Sequence, residues 1–174
     1  MVKKIGFLVG SLREEAYSKK VALAFAELFP DGYETELVEI GHLPLYNQDF
    51  DDVAGMLPEA YTPFPEYNRS YPAALKNALD VGSRPYGANL WDGKPVAVIS
   101  QSPGALGAFG ANHHLRQVLV FLNMVPLQQP EAYIGNVHKL LNEDGSVKEE
   151  KTKGYFQSIV DAFVQLIEST EQPK

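Results

Sequence analysis

The feature of this sequence that most constrains its fold is a recurring unit in which a short apolar run ends in a loop of small residues that opens a helical pattern. The first run covers residues 4–10, and the loop that starts at Ser11 leads into a helix with an apolar face. The same order recurs where the run 95–100 is followed by the glycine-containing loop 101–110. Strands that alternate with helices in this way indicate a parallel sheet covered by helices on both faces.

Other segments fit the same plan. Alternating residues predict a second strand at 34–40, and 125–134 has the pattern of a last strand. A helix is predicted over 73–81, because Pro72 is tolerated near a first turn. One face of the C-terminal helix is apolar, formed by Phe156, Ile159, Val160, Phe163 and Ile167. We therefore predict an α/β fold with a doubly wound parallel sheet in three layers, built by residues 1–174 as a single domain, since this length suits one core better than two.

The charge and composition of the chain limit its partners. Acidic residues outnumber basic ones by 22 to 15, which gives a formal net charge of -7 and a surface that repels a nucleic-acid backbone on average. No run approaches the roughly 18 apolar residues that span a bilayer. The absence of cysteine excludes disulfides and thiolate catalysis. We expect no nucleic acid and no membrane as partners, and a cytoplasmic location.

The first candidate site is the loop 10–20, because ligands of doubly wound sheets bind beyond the carboxyl ends of the strands. Free N–H groups and the positive end of a helix dipole make such a turn a common phosphate site. Ser11 and Ser18 can add hydroxyl donors, and the Arg13 guanidinium can contact two phosphate oxygens at once. Taken alone, the same pattern also fits a capped helix with an exposed arginine.

Two later loops could border a flat ring. Tyr67 could cover a heterocycle and Asn68 could bond its polar edges, although by spacing alone a proline-rich turn packed under a helix explains this segment better. In the third loop, glycines at 104, 107 and 110 permit a close approach of the backbone to a ligand. His113 and His114 point in different directions on a helix and have no carboxylate at metal spacing, so we predict no metal site.

The segment 115–122 is apolar on nearly every side of its predicted helix. A helix of this kind outside the central layer favours burial against a second subunit. We therefore expect a homo-oligomer, either a homodimer or a homotetramer.

Together these segments resemble the NADPH-dependent FMN reductase family, a flavodoxin-like group that includes bacterial azoreductases, chromate reductases and quinone reductases. The resemblance covers most of the chain. It rests on GSLR at 10–13, LPLYNQD at 43–49, PEYNRSYPAALKNALD at 65–80, SPGALGAFGANHHLRQ at 102–117 and LQQPEAYIG at 127–135.

The resemblance implies a flavodoxin-like fold and an FMN-dependent oxidoreductase. Electrons would pass from NADPH or NADH to a small-molecule acceptor: a quinone, an azo compound, a metal oxyanion or free flavin. FMN would carry the chemistry, so no catalytic side chain is assigned. By resemblance, the phosphate would be held by Ser11, Arg13 and Ser18. The ring and ribityl chain would be bordered by Pro65, Glu66, Tyr67 and Asn68 on one side and bonded by Ser102, Gly104 and Gly107 on the other.

Two departures from the family pattern bear on this assignment. Ala16 stands where family members usually carry serine, which removes one phosphate donor. Ahead of PEYN, only residues 50–64 remain for the second helix and third strand that the fold should supply, which is too few. A vestigial strand at 60–64, direct pairing of the first and fourth strands, or an omitted segment would each explain the shortened region.

Two other functions stay open at the level of sequence. A flavin-binding electron carrier or redox sensor would act by docking to a partner, without turnover of its own. A chain that had lost its cofactor site through the shortened region would have a structural or assembly role.

Overall fold

A computed structural model describes residues 2–48 and 60–170. Strands and helices alternate through most of this length, as the sequence predicts. The strands are β1 (Lys3–Leu8), β2 (Tyr33–Val38), β3 (Ala60–Phe64), β4 (Pro95–Gln101), β5 (Val125–Pro126) and β6 (Ala132–Ile134). The helices are α1 (Tyr17–Ala26), α2 (Ala73–Gly82), α3 (Phe109–Phe121), α4 (Val137–Leu140) and α5 (Glu150–Thr170).

The strands form one parallel sheet in the order β2-β1-β3-β4-β5, and β6 also pairs with β4. This is the flavodoxin-like strand order, in which the chain reverses direction across the sheet between β1 and β3. The predicted doubly wound α/β fold is therefore confirmed. A crevice is expected at that reversal, beyond the carboxyl ends of β1 and β3.

β3 accounts for part of the shortened region. Its first two residues pair with Gly6 and Phe7 of β1, and its last four pair with residues 97–100 of β4. A short third strand therefore lies between β1 and β4, and the alternative in which β1 and β4 pair directly is wrong. A helix between β2 and β3 would fall mainly on residues 49–59, which lie outside the described part of the chain.

The last strand differs from its prediction. Residues 125–134 form two short strands rather than one, β5 against Pro95 and Val96 and β6 against the carboxyl end of β4. Pro126 and Pro130 explain the interruption, because proline has no N–H for a continuous ladder. Both pieces continue the same edge of β4.

Alternate residues of the central strands point to opposite faces, and each face carries its own core. Ile5 and Phe7 of β1 pack with α1 and α5, whereas Leu8 packs with α2 and α3. The predicted apolar face of α5 is confirmed, because all five of its residues are buried. Among the described residues, no helix combines the length and the apolar character needed to cross a membrane.

Candidate cofactor site

A cavity of about 210 Å³ opens where the loops after β1, β3 and β4 meet. We call it the central cavity. Its lining residues are Ser11, Arg13, Ala16, Tyr17, Ser18, Pro65, Glu66, Tyr67, Gln101, Ser102 and Pro103. Seven of the ten predicted cofactor residues are in this group; Asn68, Gly104 and Gly107 are not. The three loops are far apart in sequence, and the parallel sheet brings them together because its strands end at one edge.

The first loop presents the start of α1 to the central cavity. Ala16 is the N-cap residue, with extended backbone and no side-chain cap. The N–H of Lys19 in the first turn donates to the carbonyl of Ala16 at 3.0 Å. The N–H groups that precede it have no acceptor four residues back in the helix, so this end of α1 can bind an anion. The Ser18 hydroxyl is fully buried and has no hydrogen-bond partner among the described residues. Such an unpaired buried group is costly unless a ligand completes it.

The first and second loops are held together by a hydrogen bond of 3.3 Å between the hydroxyls of Ser11 and Tyr67. Ser11 is nearly buried, while about half of Tyr67 is exposed beside the cavity. Gly10 permits the close approach of the two loops, since a Cβ there would lie 2.8 Å from the Cβ of Phe64. The loops that follow β1 and β3 can therefore line the same cavity.

Asn68 lies in a tight turn. The N–H of Tyr67 donates to the carbonyl of Ser70 at 2.8 Å, and the N–H of Ser70 donates back at 3.0 Å. The two residues between them, Asn68 and Arg69, have φ of 51° and 66°. This left-handed pair defines a turn for which asparagine is well suited. The backbone conformation thus accounts for Asn68, and its proposed bond to a ring edge stays a prediction.

The Glu66 carboxylate connects the second loop to α3. Its Oε2 accepts the N–H of Ala111 at 3.0 Å, and its Oε1 lies 3.7 Å from the guanidinium of Arg69. Ala111 belongs to the first turn of α3, so the carboxylate caps that helix and complements its dipole. Gly110 leaves room for this contact, because a Cβ there would lie 3.2 Å from Oε2. Glu66 therefore fixes one wall of the cavity in place.

The glycines of the third loop pack against the protein rather than line the cavity. Gly107 has φ of 58°, and a Cβ there would lie 2.5 Å from the carbonyl carbon of Tyr133. The N–H of Gly104 donates to the Ser102 hydroxyl at 3.0 Å, and its carbonyl accepts the N–H of Asn136. These contacts hold the loop against β6 and leave Ser102 at the cavity wall.

Sequence reasoning missed Gln101, the last residue of β4. Only 3% of it is exposed, its Oε1 has no partner within residues 2–48 and 60–170, and it lines the central cavity. Ala16, Tyr17 and Pro103 also line the cavity without having been assigned to it. A signal for Gln101 was present, because it is a polar residue at the carboxyl end of an apolar strand, where ligands of this fold bind.

The adjacent histidines have separate partners. The Nε2 of His113 lies 3.0 Å from the hydroxyl of Tyr133, whereas the Nδ1 of His114 lies 2.9 Å from the hydroxyl of Ser70. Burial, together with the hydrogen bond to Glu131, raises the pKa of Tyr133 to about 12. The two imidazoles thus point apart, as their adjacency on a helix predicts. Across residues 2–48 and 60–170, no three acidic or histidine side chains gather as metal ligands.

The loops that build this cavity also match a known family. The model for NADPH-dependent FMN reductase matches residues 3–61 and 63–139. The chain belongs to this family. It is 49% identical to a quinone reductase of Pseudomonas putida, over 93% of each chain. It is 41% identical to a 2-hydroxy-1,4-benzoquinone reductase of a Burkholderia species, over 94% of this chain and 95% of that one.

A solved structure with the same fold matches this chain closely. FerB from Paracoccus denitrificans, a flavoenzyme NAD(P)H:(acceptor) oxidoreductase, superposes with a TM-score of 0.88 at 40% sequence identity. The superposition covers 97% of this chain and 99% of FerB. The FMN reductase fold is therefore complete enough in this chain to be matched almost end to end, despite the short connection before PEYN.

Proposed function

We propose that this chain is an FMN-dependent NAD(P)H:quinone oxidoreductase, with FMN in the central cavity and NADPH or NADH as cosubstrate. Membership in the FMN reductase family and the names of the quinone-reducing relatives support this activity. When bound, FMN would supply the redox chemistry, since its ring can accept a hydride from the nicotinamide and release two electrons to an acceptor. With a quinone, the overall reaction converts one NADPH, one proton and one quinone into NADP⁺ and a hydroquinone.

The observation that carries the cofactor assignment is the donor set at the start of α1. In the part of the chain that the structure describes, the buried Ser18 hydroxyl lacks a partner and no side chain caps α1. Within the described residues, the exposed Arg13 guanidinium makes no ion pair. A hydroxyl, a free cation and a helix N-terminus suit the dianionic phosphate of FMN. These residues therefore fit the group that the family requires.

The remaining walls would position the ring. Pro65, Tyr67 and Ser102 line the cavity beyond the phosphate end, and Tyr67 offers an aromatic face that is half exposed. Asn68, Gly104 and Gly107 do not line the cavity; their contacts with the ring stay predictions from the family resemblance, and Asn68 and Gly107 also set the backbone of their loops through a positive φ. No side chain is assigned a proton transfer. The residues of the chain bind and orient, and they exclude water from one side of the ring.

The two possible functions, enzyme and electron carrier, predict different behaviour of the purified protein. Mixed with FMN, NADPH and 1,4-benzoquinone, the enzyme consumes NADPH continuously, as followed at the nicotinamide absorption band. A protein that binds FMN but never oxidises NADPH would instead be a carrier or sensor. A protein that binds no FMN would have lost its cofactor site, and the proposal would be wrong.

Replacement of Arg13 tests the phosphate end of the site. We expect Arg13→Ala to weaken FMN binding by about 1.5–3 kcal/mol, the value of a charge-assisted contact, and to leave riboflavin binding nearly unchanged. Fluorescence titration measures both affinities. Lys153→Ala, which removes one positive charge from the exposed side of α5, is the control for net charge. Equal FMN affinity in the Arg13 variant and the parent would contradict the assignment.

We also propose a cytoplasmic homodimer or homotetramer. Leu115, Leu119 and Leu122 of the expected contact segment are buried against the sheet, so only part of that segment is free. Val120 and Phe121 remain 73% and 89% exposed. Two adjacent apolar side chains at the end of α3 favour contact with a second copy. Sedimentation velocity measures the assembly, and a monomer at micromolar concentration would contradict it.

A further inference from the structure

Gln101 is a buried carboxamide with no hydrogen bond to any described residue, and it lines the central cavity. It ends β4, and only 3% of its surface is exposed. Its Oε1 is one of the few buried side-chain atoms in the described residues without a partner. A buried amide in that state loses its hydration and gains nothing in return. The free-energy cost of burying this amide is offset if a ligand forms the missing hydrogen bond.

The polar groups next to Gln101 are satisfied, so the missing partner is specific to it. The Ser100 hydroxyl donates to the carbonyl of Gly107 at 2.7 Å and accepts from the Asn112 amide at 3.1 Å. The Asn112 oxygen in turn accepts the Nε–H of Arg116 at 2.9 Å. This network completes its bonds on the α3 side of β4. Successive side chains of a strand point to opposite faces of the sheet, so Gln101 points away from the face that Ser100 shares with α3. Gln101 lines the central cavity.

The Gln101 carboxamide offers both an acceptor oxygen and a donor nitrogen, so the ligand group that suits it best is one that can both donate and accept. An amide oxygen accepts hydrogen bonds, and a phosphate dianion has no proton to donate to it. The phosphate instead needs donors such as Ser18 and Arg13, which line the same cavity. A chain of alcohol groups can donate to an amide oxygen and can accept from the amide nitrogen. The ribityl chain of FMN has this chemistry at each of its hydroxyls; the ring has one N–H and two carbonyls of the same kind, and a comparison of riboflavin with lumiflavin distinguishes the two.

We propose that Gln101 binds a hydroxyl of the ribityl chain and thereby positions the cofactor between its phosphate and its ring. This inference rests on the proposed function, since it requires FMN in the central cavity. Gln101 acts through the cofactor and is a positioning residue.

The test compares Gln101→Met with the parent protein. Methionine is close to glutamine in size and unbranched, but its thioether is a poor acceptor. We expect the variant to bind FMN about 3- to 10-fold more weakly, as for the loss of one neutral hydrogen bond. Riboflavin, which keeps the ribityl chain, should lose affinity by the same factor. Lumiflavin, which has the ring alone, should bind both proteins equally. Gln165→Met, at an exposed site on α5, is the matched control.

A second readout separates binding from a structural role. Without flavin, Gln101→Met should unfold at the same or a higher urea concentration than the parent, because no bond within the protein is lost and an unpaired amide is removed. If the flavin-free variant is less stable than the parent, Gln101 supports the fold. If the variant binds FMN as tightly as the parent, Gln101 does not bind the cofactor. Either result overturns the inference. An equal loss of affinity for lumiflavin would show that Gln101 bonds the ring and not the ribityl chain, which would also overturn the inference. If the parent itself binds no flavin, the proposed function also fails.

Discussion

At the scale of single residues, Ala16 is the N-cap residue of α1, and a substitution there should improve the protein. Its backbone is extended, as an N-cap requires, but its methyl group cannot bond the free N–H groups of α1. We expect Ala16→Ser to raise the free energy of unfolding by about 0.5–2 kcal/mol. The new hydroxyl also borders the proposed phosphate position, so FMN should bind more tightly. Urea denaturation and fluorescence titration measure the two effects.

The control for Ala16→Ser is the same change at Ala22, which lies in the same helix and is fully buried in the core. There the hydroxyl enters an apolar contact surface, so Ala22→Ser should lower the free energy of unfolding. Two serine variants with shifts of the same sign would contradict this account of Ala16.

The predicted cofactor residues that the fold brings to this cavity are those whose chemistry depends on residue type and place in the chain. Ser11, Arg13 and Ser18 follow the first strand and open a helix, and the sheet brings all three to the central cavity. The place of Gln101 at the end of an apolar strand is visible in the sequence, but its burial without a partner among the described residues is not. That property depends on neighbours from distant parts of the chain.

At the scale of elements, two glycines in helices should respond oppositely to the same substitution. Alanine favours a helix over glycine by about 1 kcal/mol. In α2, however, a Cβ at Gly82 would lie 2.6 Å from the ring of Trp91, which is fully buried and donates to the carbonyl of Leu79 at 2.8 Å. The overlap should cost about 1–3 kcal/mol. We expect Gly82→Ala to lower the midpoint of urea unfolding.

Gly154 in α5 is the matched case, since a Cβ there would meet nothing within 4 Å. Gly154→Ala gains the helix propensity without an overlap and should stabilise the protein by up to about 1 kcal/mol. If both substitutions raised the unfolding midpoint, the packing of Trp91 on α2 would be different from that described.

The strands show where sequence patterns reach their limit. The patterns of β1, β2 and β4 are strong enough to place each strand to within about two residues, because their apolar runs are uninterrupted or alternate cleanly. β3 is short and contains Pro63, which argues against a central strand on local grounds. It forms nevertheless between β1 and β4, since β4 pairs with four of its residues and β1 with two. Strand pairing at that position is a property of the sheet.

At the scale of the whole molecule, the two cores are coupled through the sheet they share. β1 and β4 each contribute residues to both faces, so neither face can lose its packing without disturbing the other. The single-domain prediction therefore corresponds to one cooperative unfolding transition. Circular dichroism at the helix band and fluorescence of Trp91 should give the same midpoint. Separate midpoints would indicate two independently stable parts.

Binding of FMN should stabilise the whole molecule, because a site built from three loops exists only in the folded chain. At FMN 100-fold above its dissociation constant, the gain is about 2.7 kcal/mol. For a chain of this size, each kcal/mol raises Tm by about 2–4 °C, so FMN should raise Tm by about 5–10 °C. Riboflavin at the same concentration should raise it less, since it lacks the phosphate that Ser18 and Arg13 would bind. Differential scanning fluorimetry with an extrinsic dye measures the shifts. Equal shifts from the two flavins would show that the start of α1 does not bind the phosphate and that the rest of the flavin accounts for the affinity.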